Sequence, residues 1–367
     1  CMIERRGGWR GGFEKRCALN LGAAAGETEG LPLRDVTQPE AWRFGTFAVR
    51  DFLESTVMRQ VGWCALGLWV VGLVGGAGQA FGQAKLEWKL TPNSTWVNEI
   101  EVETRQTLKI AGMNVDSESR SKQTQRSTVG ERDGLNRLKV KQKLEQMQVT
   151  MKQQGLQFDF DSRSPDEKGS SQLEVLRPLY KSLLALESDL VYDKDNQPVD
   201  VEFDQQFLNS LDANVQAQIR SQIDPANQKR GLKQRSERFP PTAVAKGDTW
   251  ERTEMTDLGG AQTMKVRRSY THEGLEEHEG RPCVKLTMKV LSVELSAEGG
   301  TTPVKIKPTE LKSDGSDGVS WFDVQLGDVV EERQTLKAVG PLKLEINGME
   351  LPAELDLEMK TSTKRVK

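Results

Sequence analysis

The feature that most constrains this chain is a change of phase that occurs twice. Leu138, Val140, Gln142 and Leu144 align with Val284, Leu286, Met288 and Val290, while Lys139 and Lys143 align with Lys285 and Lys289. The two segments, from Gly134 and from Gly280, match without gaps at an offset of 146 residues. Alternation of period two is a strand with one buried face and lysines on the other. In both segments the apolar positions then move by one residue, to Met147, Val149 and Met151 in the first and to Leu291, Val293 and Leu295 in the second. A one-residue slip within a continuous strand is what a β-bulge produces, and bulges bend sheets. The sequence therefore predicts two equivalent, strongly curved strands, with Leu144, Met147, Val290 and Val293 all pointing inward.

Shorter pieces recur as well. Arg105–Lys109 and Arg333–Lys337 both read RQTLK, Ile110–Met113 (IAGM) returns as Ile346–Met349 (INGM), and Trp96 and Trp250 sit in similar strand openings. Tyr192-Asp193, then a turn and Val199, echoes Phe322-Asp323, then Gly327 and Val329. The order of these pieces points to a duplication, although the RQTLK pair joins the beginning of one half to the end of the other. Between the halves the pattern is helical. Ser171-x-x-Glu174 is a capping box, followed by Leu176, Leu179, Leu183 and Leu186 at helical spacing, with Pro178 marking a kink or the true first turn. Asp204 to Gln222 carries Phe207, Leu208, Leu211, Val215 and Ile219 on one stripe, and Asp224-Pro225 opens a third helix.

Composition narrows the function. With 51 Lys+Arg against 54 Asp+Glu the net charge is −3, so no electrostatic footprint of nucleic-acid binding exists. Met58 and Arg59 precede an uncharged run, Gln60–Ala84, that ends in small residues, as a secretory signal peptide does. An uncleaved anchor through residues 60–84 is the competitor. On this reading residues 1–57 are a spurious or disordered extension, 58–84 are the signal, 85–203 form a first β-rich half with a helix at about 171–188, 204–238 a helical connector, and 239–367 a second β-rich half. Nine basic and eight acidic residues fall in 1–84, which leaves 42 and 46 in the exported part, together with a single cysteine, Cys283. With one thiol there is no internal disulfide, and the fold must rest on its core.

The helix before Tyr192-Asp193-Lys194-Asp195-Asn196-Gln197, the Phe239-Pro240-Pro241 exit and the Gly247-Asp248-Thr249-Trp250 strand opening resemble an uncharacterised family of secreted β-rich proteins. This is a domain of unknown function common in planctomycete-type bacteria, and the resemblance covers about residues 86–362. It implies a fold and carries no catalytic residues. At the level of shape, long curved strands with a few helices are similar to the half-barrel lipoprotein carriers of the bacterial envelope, an analogy that does not assign function.

Chemistry-bearing residues are few. His272 and His278 lie in THEGLEEHEG among four glutamates, but a charged hairpin loop lacks the rigid second shell of a zinc site, and a solvated loop is the expected reading. Asp193-Lys-Asp-Asn-Gln begins like a calcium loop, yet its sixth position is Pro198 and its twelfth Asp204, so a hairpin turn fits better. Asp314–Gly318 is an acidic loop of the same kind. Cys283 aligns with Arg137 and has no candidate base beyond two histidines. No nucleophile elbow, phosphate loop or dinucleotide fingerprint occurs. The basic run Lys229–Arg238 is either one solvated helix face or a contact for an anionic partner.

These observations lead to a mostly β, α+β fold: a duplicated, strongly curved antiparallel sheet, half-barrel-like, with two or three helices packed on it. The functional expectation is an exported, non-enzymatic binding protein without cofactor, metal or nucleic acid, holding an apolar or amphiphilic ligand in a cleft lined by Leu176, Leu183, Phe207 and Leu211. The competing expectation is a structural or interaction protein of the envelope with a filled core. The processing claim is testable directly. The intact mass of the natural protein should correspond to a start between Phe81 and Lys85, and peptides from residues 1–57 in that protein would overturn both the start site and the cleavage.

Overall fold

In the computed structural model, residues 83–366 are described, apart from 168, 170, 260–261, 298–303 and 347. Residues 1–82, with most of the proposed signal segment, lie outside the described residues. A short strand β1 (Gln83–Ala84) pairs with β8 (Val244–Ala245). The remaining strands are β2 (Thr95–Ile110), β3 (Met113–Val129), β4 (Leu138–Gln153), β5 (Leu156–Asp161), β6 (Glu187–Tyr192), β7 (Pro198–Phe203), β9 (Thr249–Gly259), β10 (Gln262–His278), β11 (Arg281–Ala297), β12 (Val304–Leu311), β13 (Asp317–Asp323), β14 (Asp328–Ile346) and β15 (Met349–Arg365). They form one 13-stranded antiparallel sheet in the order β7-β6-β4-β3-β2-β15-β14-β12-β11-β10-β9, with β5 on β4 and β13 between β11 and β14. The sheet is strongly curved and does not close into a barrel. Its two halves are not separate bodies, because β15 lies between β2 and β14 and joins them along its length.

The bulges fall where the phase slips. On β4, Leu144 faces Gln125 and Gln146 faces Thr124, so Glu145 is the extra residue. On β11, Val290 faces Arg268 and Ser292 faces Arg267, so Leu291 is the extra residue, 146 positions later. Leu144, Met147 and Val293 are buried as expected, whereas Val290 is only half-buried against the core. Leu291, expected inside, is exposed: as the inserted residue it stands on the outer face, as Glu145 does. The correspondence extends further, since Leu138 faces Tyr192 and Val284 faces Phe322. The IAGM and INGM segments are the tips of the β2–β3 and β14–β15 hairpins. Ala111 and Gly112 have φ of 50° and 83° and Gly348 has 80°, the left-handed values such two-residue turns need.

The helices follow their caps. A 3-10 turn (Gln172–Leu176) leads into α1 (Arg177–Ala185), with Pro178 in its first turn rather than at a kink. The stripe from Asp204 to Gln222 is two helices, not one: α2 (Gln205–Ser210) and α3 (Ala213–Gln222). Asp212 interrupts it, because its carboxylate accepts from the Asn214 N–H and starts a new helix, as Asp204 does for α2 and Asp224 for α4 (Pro225–Ser236). The principal helix contacts are with β4, β5, β7 and β9. Ala84 is buried in the core and paired with Val244, so a cut after Ala84 would remove β1, whereas one after Ala80 or Gly82 keeps it.

Because Met147 and Val293 are wholly buried just past the bulges, truncating either to Ala should cost about 2–4 kcal/mol in a denaturant titration. Lys143→Ala and Lys289→Ala, on the outer face, should change stability by less than about 0.5 kcal/mol. Equal effects at the two kinds of position would overturn the assignment of faces.

Candidate functional site

The four residues expected to line a cleft lie together under the helices, where the space is packed. Leu176 and Leu183 are buried among Leu179, Tyr180, Met147, Val149, Phe158 and Phe160, and Phe207 and Leu211 pack half-buried against the same cluster. Tyr180 stacks against both Phe158 and Phe160, with ring centroids 5.5 and 5.4 Å away. The gap beside Leu183, bordered by Gln125, Gln142, Leu186, Ser188 and Phe203, has a volume of about 30 Å³, enough for one or two waters and no more.

A second apolar cluster has a different construction, because no helix residue belongs to it. It extends from Leu108, Ile110 and Val115 on β2 and β3, through Ala353, Leu355, Leu336, Leu342 and Leu344 on β15 and β14, to Val293 and Leu295 on β11 and Met264 and Val266 on β10. Most of these residues lie toward the hairpin-tip end of their strands, and they form a continuous apolar wall in which each is at most 8% exposed, a closed core rather than an open surface. At the tips themselves Met113 and Met349 are 47% and 59% exposed.

Between this wall and the opposite end of the sheet the inner face of β3 changes character. Ser121, Gln123, Gln125 and Ser127 point to the same side as Val115 and Val129, and all four are buried. The outer face of the strand carries Glu118, Arg120, Lys122 and Arg126, which pair with charges on neighbouring strands, among them the bulge residue Glu145 with Arg126 at 2.5 Å. Thus β3 is polar on both sides, and periodicity in the sequence does not mark it as buried. Gln125 faces Asn98 on β2, and Gln142 on β4 donates to Ser127 Oγ at 3.4 Å. Asn98 Nδ2, Ser121 Oγ, both Gln123 amide atoms, Gln125 Oε1 and Gln142 Oε1 have no hydrogen-bond partner. The register explains why. Gln123 is flanked by Ile100 and Met147, and Ser121 by Val102 and Val149, so the polar row has apolar neighbours on both sides.

The other end of the concave face is charged and internally balanced. Arg268 pairs with Glu254, which also accepts from the Tyr270 hydroxyl at 3.2 Å, and Arg238 pairs with Glu332 at 2.6 Å. Burial works against ionisation of Glu254, but Arg268 and Arg238 outweigh it and hold its carboxyl below the ordinary range. Next to this group, fully buried Asp328 lies 3.5 Å from Arg365. Burial pushes its carboxyl up to about 7, against the pull of Arg235 and Arg365. The basic run at 229–238 is therefore divided. Lys229 and Lys233 are exposed, whereas Arg238 is an internal counter-ion and Arg235 lies over the Trp88 ring at 4.7 Å.

The histidines do not sit in a solvated loop. Strand β10 continues to His278, and only Glu279 and Gly280 form the turn, because cross-strand pairing of 274–278 with 281–285 satisfies the backbone. His278 stacks on Trp321 at 4.1 Å and meets Glu331 at 2.8 Å, while Glu279 pairs with Lys364 and Glu331 with Arg333. His278, Glu279 and Glu331 are close enough to share an ion, but these two cations already neutralise both carboxylates. Asp193 is used by its own turn, accepting from the Asp195 and Gln197 N–H groups at 2.9 Å each. Cys283 is fully buried, and burial raises its thiol to about 11, which leaves it protonated and unreactive.

No known protein family matches the chain, and no curated protein is similar to it in sequence. Among solved structures, lipovitellin aligns over 76% of this chain at 7% identity with a TM-score of 0.37, and the chain spans 25% of lipovitellin's length. A BenF-like porin from Pseudomonas fluorescens covers 74% of the chain and 99% of its own at 8% identity and a TM-score of 0.15. A DUF1329 family protein from Desulfovibrio piger covers 71% and 83% at 10% identity and 0.11. Likenesses this weak carry no argument about function. No helix among the described residues is long and apolar enough to cross a membrane.

Asp328 gives a pH prediction. A carboxyl raised from 3.8 to about 7 on folding contributes stability that is fully present below the unfolded value and is lost as the pH rises through about 7. Asp328→Asn keeps the shape and removes the titration. Between about pH 4.5 and about pH 8, the stability difference should move in the variant's favour by on the order of 2 kcal/mol. Chemical denaturation at both pH values measures it, and a constant difference would show that Asp328 is ionised throughout.

Proposed function

We propose that the chain is an exported, non-enzymatic binding protein for an apolar or amphiphilic ligand. The observation that supports this reading is the strongly curved, unclosed sheet with an apolar wall drawn from β2, β3, β10, β11, β12, β14 and β15, to which no helix contributes. This wall and the cluster that holds Leu176 and Leu183 are both packed as cores, so a ligand enters where one of them opens. The absence of enzymatic activity is part of the proposal, as is export through the segment 58–84. So is membership of the secreted family that the Tyr192 turn and the Gly247–Trp250 opening resemble.

The alternative, a structural or interaction protein of the envelope, draws on one observation: the exposed Met113 and Met349 on adjacent hairpin tips, where a partner would meet them first. Burial of about eight methylenes at roughly 0.8 kcal/mol each, less the ordering of the chain, leads to a weak affinity, on the order of tens of micromolar. A fluorescent acyl-chain probe should therefore bind the purified protein saturably in that range, and Leu211→Glu, at a half-buried position against the helix-covered cluster, should weaken it about tenfold or more while the circular dichroism stays unchanged. A folded protein that ignores the probe up to about 100 µM favours the structural alternative.

A further inference from the structure

Among the described residues, four hairpins turn tightly on a glycine with φ between 76° and 83°. Gly112, Gly155 and Gly348 are at one end of the sheet, and Gly280 is at the other. The residue after the glycine depends on the end. It is Met113, Leu156 and Met349 at the first, 47%, 37% and 59% exposed, and exposed Arg281 at the second. The turn itself therefore does not require an apolar side chain at that place. Two residues on from Met113 and Leu156 come buried Val115 and Phe158, and four on from Met349 comes buried Ala353. By alternation all three exposed residues continue the inner face of the sheet beyond the end of its core.

Their spacing is even. Leu156 is level with Gln153 and Ser117, four residues along β3 from Met113. Met113 is level with Ile110 and Ala353, and Met349 lies four residues beyond Ala353. Each step crosses two strands and climbs four residues, roughly 10 Å and 13 Å, so neighbouring tips are about 16 Å apart. In a curved sheet of tilted strands, an even stagger brings successive hairpins to one rim.

We propose that this rim docks on the surface of a lipid bilayer of low net charge, with Met113, Leu156 and Met349 entering the headgroup region. The spacing favours a bilayer over a protein partner. Side chains about 16 Å apart do not touch one another, and a protein would need a separate pocket for each, whereas a fluid interface accepts each one singly. The charges favour a neutral surface. Three lysines and four carboxylates lie within four residues of the three turns, and two of those carboxylates, Glu345 and Glu350, pair with Lys305 and Lys307. Lys109 pairs with Glu354 at 3.0 Å. The rim thus carries no basic cluster for anionic lipid. The inference concerns where the protein sits and does not depend on the ligand reading above.

Co-flotation of the purified protein with phosphatidylcholine vesicles tests it. The protein should float with them, and replacing about a third of the lipid by phosphatidylglycerol should change binding by less than about threefold. Met113→Ser, Leu156→Ser and Met349→Ser should each weaken binding about tenfold, and the triple variant should not bind. Leu135→Ser, at the most exposed apolar residue and on the opposite end of the sheet, should bind as the natural protein does. Peroxide oxidation of the natural protein gives a second readout. Vesicles should slow sulfoxide formation at Met113 and Met349 about fivefold or more, and leave Met255, 42% exposed on the outer face of β9, unchanged. Absence of flotation, binding retained by the triple variant, or a requirement for phosphatidylglycerol would overturn the proposal. Protection of Met113 and Met349 that rises with protein concentration in the absence of vesicles would assign the rim to a second copy of the chain and overturn it as well.

Discussion

Two inserted residues, Glu145 and Leu291, determine how this sheet is shaped. A bulge bends its strand and raises the local twist. A strand bent in this way cannot keep one straight partner along its whole length, and neither β4 nor β11 does. Before its bulge β4 pairs with β6, and beyond it with β5; β11 pairs first with β13 and then with β12. The change of partner coincides with the inserted residue in both cases. The forked edges, the position of the helices on β4 and β5, and the separation of the apolar wall from the charged end all follow from that bend.

At the opposite end of the molecule buried charges stand beside an apolar cluster that includes Phe239, Val244 and Phe322. Trp88 donates to the Arg235 carbonyl and stacks on Phe239, and Arg238 reaches Glu332 on β14, so the N-terminal segment, α4 and the sheet meet around guanidinium groups. Buried ion pairs of this kind contribute little net stability relative to apolar residues of the same size, because desolvation offsets their attraction. Their geometry is directional, however, and loss of one partner strands the other charge. They fix how α4 and β9 lie against each other more than they stabilise the chain.

Much of this was legible in the sequence, and the residues show where legibility ended. The phase slips at Glu145 and Leu291 were visible because each interrupts an alternation long enough to define a face. The Asp224-Pro225 start and the Asp193 turn were visible because they are local hydrogen-bonding patterns. Asp212 was visible as a residue but not as a break, since the apolar stripe continues across it and the cap competes with that stripe only once the chain is folded. The charged surroundings of His278 predict a loop, whereas the ladder pairs it with Arg281 in a strand and its side chain meets Glu331 and Trp321 from distant parts of the sequence. The candidate site was the least legible part. A strand polar on both faces gives no amphipathic signal, and nothing local says that Gln123 is inside.

The thermodynamics of that strand shape the rest of the argument. Six unpartnered polar atoms on five buried side chains, at about 1–3 kcal/mol each, amount to a penalty comparable with the whole net stability of a typical domain. The bent sheet tolerates it because the core beneath the helices and the apolar wall are extensive and closely packed on either side. Ile100 and Met147 enclose Gln123 along the ladder, whereas the corresponding position in the other half is Val266 between Glu254 and Val293. The same bend therefore forms around an amide in one half and an isopropyl group in the other, so the curvature comes from the inserted residue and not from what the strand beside it buries.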